Sequence, residues 1–193
     1  MRAAPVGGQK SLMTNRDIAR ISIFAALIGV MGLMPRLDLP FAAGVPITAQ
    51  TLGVMLAGLT LGSRLGSLAV ILFLFVVACG APLLSGGRGG LGVFAGPTGG
   101  YLFGWIAGAF VCGALVTRIR VGAFPSALVA SLVGGVLVIH AFGAPWLAWI
   151  AGLSPWQAAV ASATFVPGDV LKAIGAALVY KSYRARAVDR NDF

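Results

Sequence analysis

Long apolar runs, separated by short polar or glycine- and proline-rich breaks, fill almost the whole chain. They predict six membrane-spanning helices, at 18–34, 48–62, 66–84, 99–117, 123–142 and 164–183. The hydrocarbon core of a bilayer needs about 20 mainly apolar helical residues per crossing. The first run ends at Pro35 and carries two small-xxx-small pairs, Ser22/Ala26 and Ala25/Gly29, a spacing that lets helices approach closely in lipid. The last is expected to break near Pro167-Gly168. Between the fifth and sixth, 143–163 is apolar but holds Pro145, Pro155, Trp146, Trp149 and Trp156. Tryptophan collects at membrane interfaces, so this stretch reads as an interfacial or partly re-entrant connection.

The charges sharpen this picture. Residues 121–168 contain no Asp, Glu, Lys or Arg, and then Asp169 and Lys172 stand inside the last apolar run. A charge at the centre of a membrane helix costs roughly 2.5–3.5 kcal/mol on insertion scales, and a spacing of three puts both side chains on one helical face. Such a pair either lines a ligand site or ties helices together. Pro167-Gly168 directly before it favours the ligand site, because a helix beginning there would turn backbone N–H groups toward a cavity. Thr48 and Gln50 of the second run add neutral hydrogen-bonding groups, or serve as interhelical glue.

Hydrophobic residues make up 59% of the 193 residues and charged ones 10%, against about 25% charged in soluble domains. The expected class is therefore an all-α membrane protein, a six-helix bundle without a soluble domain. Its net charge of +9 is unevenly placed. Arg2, Lys10, Arg16, Arg20, Arg64, Arg118, Arg120, Lys181, Arg184, Arg186 and Arg190 fall on one side of a six-span topology, and only Arg36 and Arg88 on the other. The positive-inside rule then puts both termini in the cytoplasm, as tails 1–17 and 184–193 around a membrane domain 18–183. The basic charge thus sets orientation and attracts anionic lipid; nucleic acid is excluded as a partner. No small-x-small cleavage site follows the first run, so no signal peptide is expected.

Several motifs fail on inspection. Gly87-Arg88-Gly89-Gly90-Leu91-Gly92 matches a dinucleotide fingerprint, but the apolar run before it is too long for a strand and Pro97 interrupts any following helix. Gln9 before Lys10 spoils the phosphate loop at Gly7-Gly8, so ATP coupling must come from another protein. Cys79 and Cys112 lack metal-ligand spacing. His140, the only histidine, reads as a packing or interfacial residue. With no G-x-S-x-G and no H-E-x-x-H, neither an enzyme nor a metal or cofactor site is expected. Two outward connections stand out: 35–47, apolar with three prolines, suits a lid, and 85–100 is glycine in eight of its sixteen positions.

Three segments resemble the BioY family, the biotin-binding S components of energy-coupling-factor (ECF) transporters. They are Val45-Pro46-Ile47-Thr48-Ala49-Gln50-Thr51-Leu52-Gly53, Gly96-Pro97-Thr98-Gly99-Gly100-Tyr101-Leu102 and Val166-Pro167-Gly168-Asp169-Val170-Leu171-Lys172-Ala173. The similarity extends over roughly 18–183. It implies a six-helix bundle with a vitamin pocket near the outer face, a lid from the first loop, a transmembrane coupling protein and two ATPase subunits as partners, and a place in the cell's inner membrane. It implies that Asp169 and Lys172 line the biotin pocket and that Ser22, Ala25, Ala26 and Gly29 dock on the coupling protein. Biotin's ureido N–H groups suit the Asp169 carboxylate, and its own carboxylate needs a cation, Lys172 or Arg88. Its rings suit walls such as Tyr101, Trp105 and Phe165. The alternatives are an S component for thiamine or riboflavin, or a membrane assembly subunit in which Asp169 and Lys172 only hold helices together. Action alone, as a homo-oligomer or with the ATPase module remains open at this level.

Overall fold

The computed structural model describes residues 13–35 and 48–189. The expected lid 36–47, with Arg36, and the terminal Arg2, Lys10 and Arg190 lie outside the described residues. Among those described, every regular element is helical: α1 (Asn15–Gly32), α2 (Gln50–Ala78), α3 (Gly92–Ala95), α4 (Gly99–Arg118), α5 (Ala123–Ala130), a π segment (Ser131–Val138), α6 (Ile139–Ala151), α7 (Pro155–Ala163) and α8 (Val166–Asp189). By length and composition α2, α4 and the continuous rod from α5 to α6 can cross a membrane. The pair α7–α8, bent by 46°, makes a fourth if it counts as one span.

α2 is a hairpin rather than a rod. Gly62 takes φ +81° and ψ 178°, and the chain folds back on itself there. A Cβ on Gly66 would stand 2.8 Å from the Ala57 carbonyl oxygen, whereas nine residues of straight helix would separate the two by about 13 Å. Positive φ is open to glycine at no steric cost, so Gly62 is what lets two short apolar arms share one connection. The open ends of the arms meet again at Gln50 and Leu83–Ser85.

α4 occupies the middle of the bundle, packing most extensively on α2 and α6. Gly100, Gly104 and Gly108, four residues apart, form a groove along it. A Cβ at Gly104 would stand 3.0 Å from the Ile139 carbonyl, and one at Gly108 2.7 Å from that of Gly134. Small residues at this spacing give close backbone approach where lipid supplies no hydrophobic drive between helices.

The connection expected over 143–163 is corrected in its first part, which belongs to the α5–α6 rod, while 155–163 meets α8 at a 46° bend. α6 continues to Ala151 with Pro145 inside it, and 155–163 forms α7. Packing overrides the proline signal: the Trp146 indole donates to the Gly96 carbonyl at 2.9 Å, and the Tyr101 ring lies directly on Gly143, where a Cβ would collide with it. Trp149 and Trp156 stay exposed. The break expected at Pro167-Gly168 falls earlier, at 164–165. Pro167 stands in the first turn of α8, where its missing N–H would have had no helical partner.

Candidate functional site

The starts of α2, α4 and α8, the glycine-rich stretch after α2 and the first turn of α6 converge on one cleft. It encloses about 570 Å³ of empty space, its open mouth included. Thr48, Gln50, Arg88, Tyr101, Trp105, Asp169 and Lys172, the ligand-site residues singled out in the sequence, all line it, with Phe165. They come from positions as far apart as 48 and 172, so only the fold brings them together.

Asp169 is 5% exposed and heavily bonded. Its Oδ1 accepts from Lys172 Nζ at 2.6 Å and from the Thr51 hydroxyl at 3.1 Å. Its Oδ2 lies 2.9 Å from His140 Nε2. The Lys172 ammonium also donates to the Thr48 carbonyl at 2.7 Å and to Thr51 Oγ1 at 2.8 Å. An ammonium has three donors, and each is engaged. A buried charge is tolerated when it is both paired and hydrogen-bonded, as both are here. α8 places the two charges three residues apart on one face, and its first turn puts them opposite the start of α2.

Gln50 lines the cleft but works inward. Its amide nitrogen donates to the Ile28 and Leu83 carbonyls, both at 3.2 Å, and its oxygen accepts from the Ser85 N–H at 3.1 Å. It therefore staples α1 and the stretch after α2 to the start of α2. That stretch turns back at once: Leu84 and Arg88 exchange backbone hydrogen bonds at 3.0 and 3.2 Å. The turn holds Arg88 over the cleft, with its Nε donating to the Ser85 carbonyl at 3.2 Å.

The walls are aromatic. Tyr101 meets His140 and Phe165 edge-on, with ring centroids 5.8 and 6.3 Å apart, and His140 stacks on Phe165 at 6.3 Å. Trp105 stacks on Phe73 at 6.3 Å. Leu84, Leu102 and Ile139 complete the apolar lining.

His140, Thr51 and Ser162 were not assigned to the site from sequence. Thr51 had a signal, since it stands beside Gln50 within the segment 45–53 that carries the family resemblance. His140 had none, because nothing in the linear order links it to Asp169. Its Nδ1 lies 2.6 Å from Ser162 Oγ, which accepts from the Tyr101 hydroxyl at 2.9 Å. Ser162, His140 and Asp169 thus stand in the order of a hydrolytic triad. Ser162, however, is buried, is no part of the cleft lining, and already holds the Tyr101 hydroxyl, so no substrate carbonyl can reach it. Among the described residues no cluster of His, Cys, Asp or Glu could hold a metal ion.

The four α1 residues singled out for docking divide. Ala25 and Gly29 are buried, with Gly29 facing Leu83 and Phe73 of α2 and its outlet. Ser22 and Ala26 are exposed on the other face.

Comparison with known proteins gives a consistent result. The BioY family model matches residues 8–189. A biotin transporter BioY of Rhizobium etli is 51% identical over 174 residues, covering 86% of this chain and 92% of that protein. A biotin transporter BioY of Rhodobacter capsulatus is 46% identical over 189 residues, covering 90% and 97%. In three dimensions the chain is similar to the crystal structure of the S component for biotin from an ECF-type ABC transporter. The TM-score is 0.84 at 30% identity, over 90% of this chain and 95% of that one.

Proposed function

The chain belongs to the BioY family, and from that premise we propose that it is the biotin-capturing S component of an ECF transporter. It takes biotin from outside and releases it inward when a transmembrane coupling protein and two ATPase subunits drive its reorientation. The observation that carries this reading is the cleft itself, in which one buried carboxylate, two cations and an aromatic wall face the same space. The ureido ring offers N–H donors to Asp169. The bicyclic rings and methylene chain pack on Tyr101, Trp105 and Phe165. A guanidinium fork matches a carboxylate bidentately, which favours Arg88 as the partner of the ligand carboxylate, with Lys172 the second cation of the cleft. Thr48 and Gln50 shape the wall and hold its backbone.

The reading includes six crossings of the cytoplasmic membrane: α1, the two arms of α2, α4, the α5–α6 rod and α7–α8. The basic residues support cytoplasmic tails. Arg64 sits at the turn of α2, Arg118 ends α4, and Lys181, Arg184 and Arg186 lie near the end of α8, whereas Asp169 lies at the opposite end of α8, about 20 Å away by helical rise. Ser22 and Ala26 form the exposed strip for the coupling protein.

The experiment is direct. The chain is purified in detergent, co-purified ligand is identified by mass spectrometry, and tryptophan fluorescence is followed during titration with biotin, thiamine and riboflavin. Bound biotin, with a fluorescence response to biotin alone, is the expected result. A folded protein that responds to thiamine or riboflavin instead, or to none of the three, overturns the assignment.

A further inference from the structure

The hydrogen bonds behind Asp169 can be given a direction. An ionised carboxylate only accepts, so the His140 Nε2 at 2.9 Å from Oδ2 carries a hydrogen. In a neutral imidazole Nδ1 is then an acceptor, and the Ser162 hydroxyl at 2.6 Å donates to it. Ser162 in turn accepts from Tyr101 at 2.9 Å. With His140 neutral, these bonds form one unbroken relay in which every hydrogen points toward the carboxylate: Tyr101 to Ser162, Ser162 to His140, His140 to Asp169. The relay spans α4, α6, α7 and α8.

The relay also limits what Asp169 can offer. A carboxylate has about four lone-pair sites. Lys172 and Thr51 take those of Oδ1, and His140 takes one on Oδ2. One acceptor site on Oδ2 is left for a ligand. We infer that His140 is a positioning residue that determines specificity: locked as the Nε2–H tautomer by Ser162 and Tyr101, it turns Asp169 so that a single Oδ2 acceptor site faces the cleft. The site then requires a ligand N–H at that point and rejects a ligand whose nitrogen is blocked. This rests on the biotin reading above for the identity of the ligand, but not for the relay.

Both parts can be measured. The chain contains one histidine, so labelling histidine with ¹⁵N gives imidazole signals from His140 alone. The expected signature at neutral pH is the Nε2–H tautomer, converted to a mixture in Ser162→Ala. An Nδ1–H tautomer or an imidazolium in the unaltered protein overturns the relay, whether or not biotin binds. Affinities for biotin and for analogues methylated at either ureido nitrogen give the second readout. His140→Leu should weaken biotin roughly 10- to 100-fold, the size of one hydrogen bond to a charged group. It should also reduce the preference for biotin over the blocked analogues by at least about tenfold. His140→Gln, which keeps a donor near the Nε2 position, should recover much of that preference. An unchanged preference in a folded His140→Leu protein, or a folded His140→Gln protein that recovers none of the preference lost in His140→Leu, overturns the positioning role. If the unaltered protein binds no biotin at all, it is the ligand assignment that fails, and the imidazole signals still decide the relay.

Discussion

Lys172 reaches Asp169 Oδ1 at 2.6 Å from one turn along the same helix. The same ammonium bonds the Thr48 carbonyl and the Thr51 hydroxyl across the cleft. The pair is therefore both an ion pair within α8 and a tie between α8 and the start of α2. Removing one partner of a buried ion pair typically costs about 3–5 kcal/mol, because the other charge is left uncompensated. Lys172→Met should lower the melting temperature in detergent and weaken biotin binding together. The exchanged variant, Asp169→Lys with Lys172→Asp, should recover stability without recovering binding. Restored binding in the exchanged protein would reduce the pair to a structural tie.

Asp169→Asn keeps the shape of the side chain but removes its charge and gives it a donor pointing where the ligand also donates. Biotin affinity should fall by more than about tenfold, in line with the loss of a charge-assisted hydrogen bond. Calorimetric titration measures it, and an unaltered dissociation constant removes Asp169 from the ligand contacts.

Arg88 and Lys172 can be separated by ligand chemistry. If Arg88 meets the ligand carboxylate, Arg88→Gln weakens biotin roughly 10- to 100-fold yet changes the affinity for biotinamide, which lacks that charge, by less than about threefold. Equal losses for both ligands would place Arg88 elsewhere.

Gln50 bonds three backbone groups from two other segments. Gln50→Leu removes all three hydrogen bonds at once, at about 0.5–1.5 kcal/mol each. The expected outcome is a marked loss of thermal stability. A variant that melts as the unaltered protein does would show that solvent or neighbouring groups replace the amide.

The exposed side of α1 gives a test of partner docking that spares the cleft. Ala26→Trp adds bulk on the face carrying Ser22 and away from α2. It should abolish co-purification with the coupling protein and ATP-driven uptake while leaving biotin affinity within about twofold. Gly29→Leu, which pushes against Leu83 and Phe73, should instead impair folding. Retained uptake in Ala26→Trp would move the docking surface off this strip.

The apolar runs, the charge-free stretch before Asp169 and the spacing of Asp169 and Lys172 were sufficient to predict a helical membrane protein with Asp169 and Lys172 on one polar cleft. Burial of charge in an apolar run is costly enough to be legible one residue at a time. The extension of α6 through Pro145 was not legible, because local proline signals were outweighed by contacts to Gly96 and Tyr101 made across the bundle. The hairpin at Gly62 was anticipated as a break between two runs, since a glycine and a short polar connection carry that information locally. The division of the α1 residues into buried Ala25 and Gly29 and exposed Ser22 and Ala26 depended on which way the helix rolls onto α2, and both pairs have the same spacing. His140 is the sharpest case. Its place beside Asp169 is a relation between α6 and α8, and the choice of Gln50 as a backbone staple is a relation among three segments. Composition and periodicity determine what each helix is; hydrogen bonds between helices have no linear spacing to read, so only the packed bundle decides which polar groups meet.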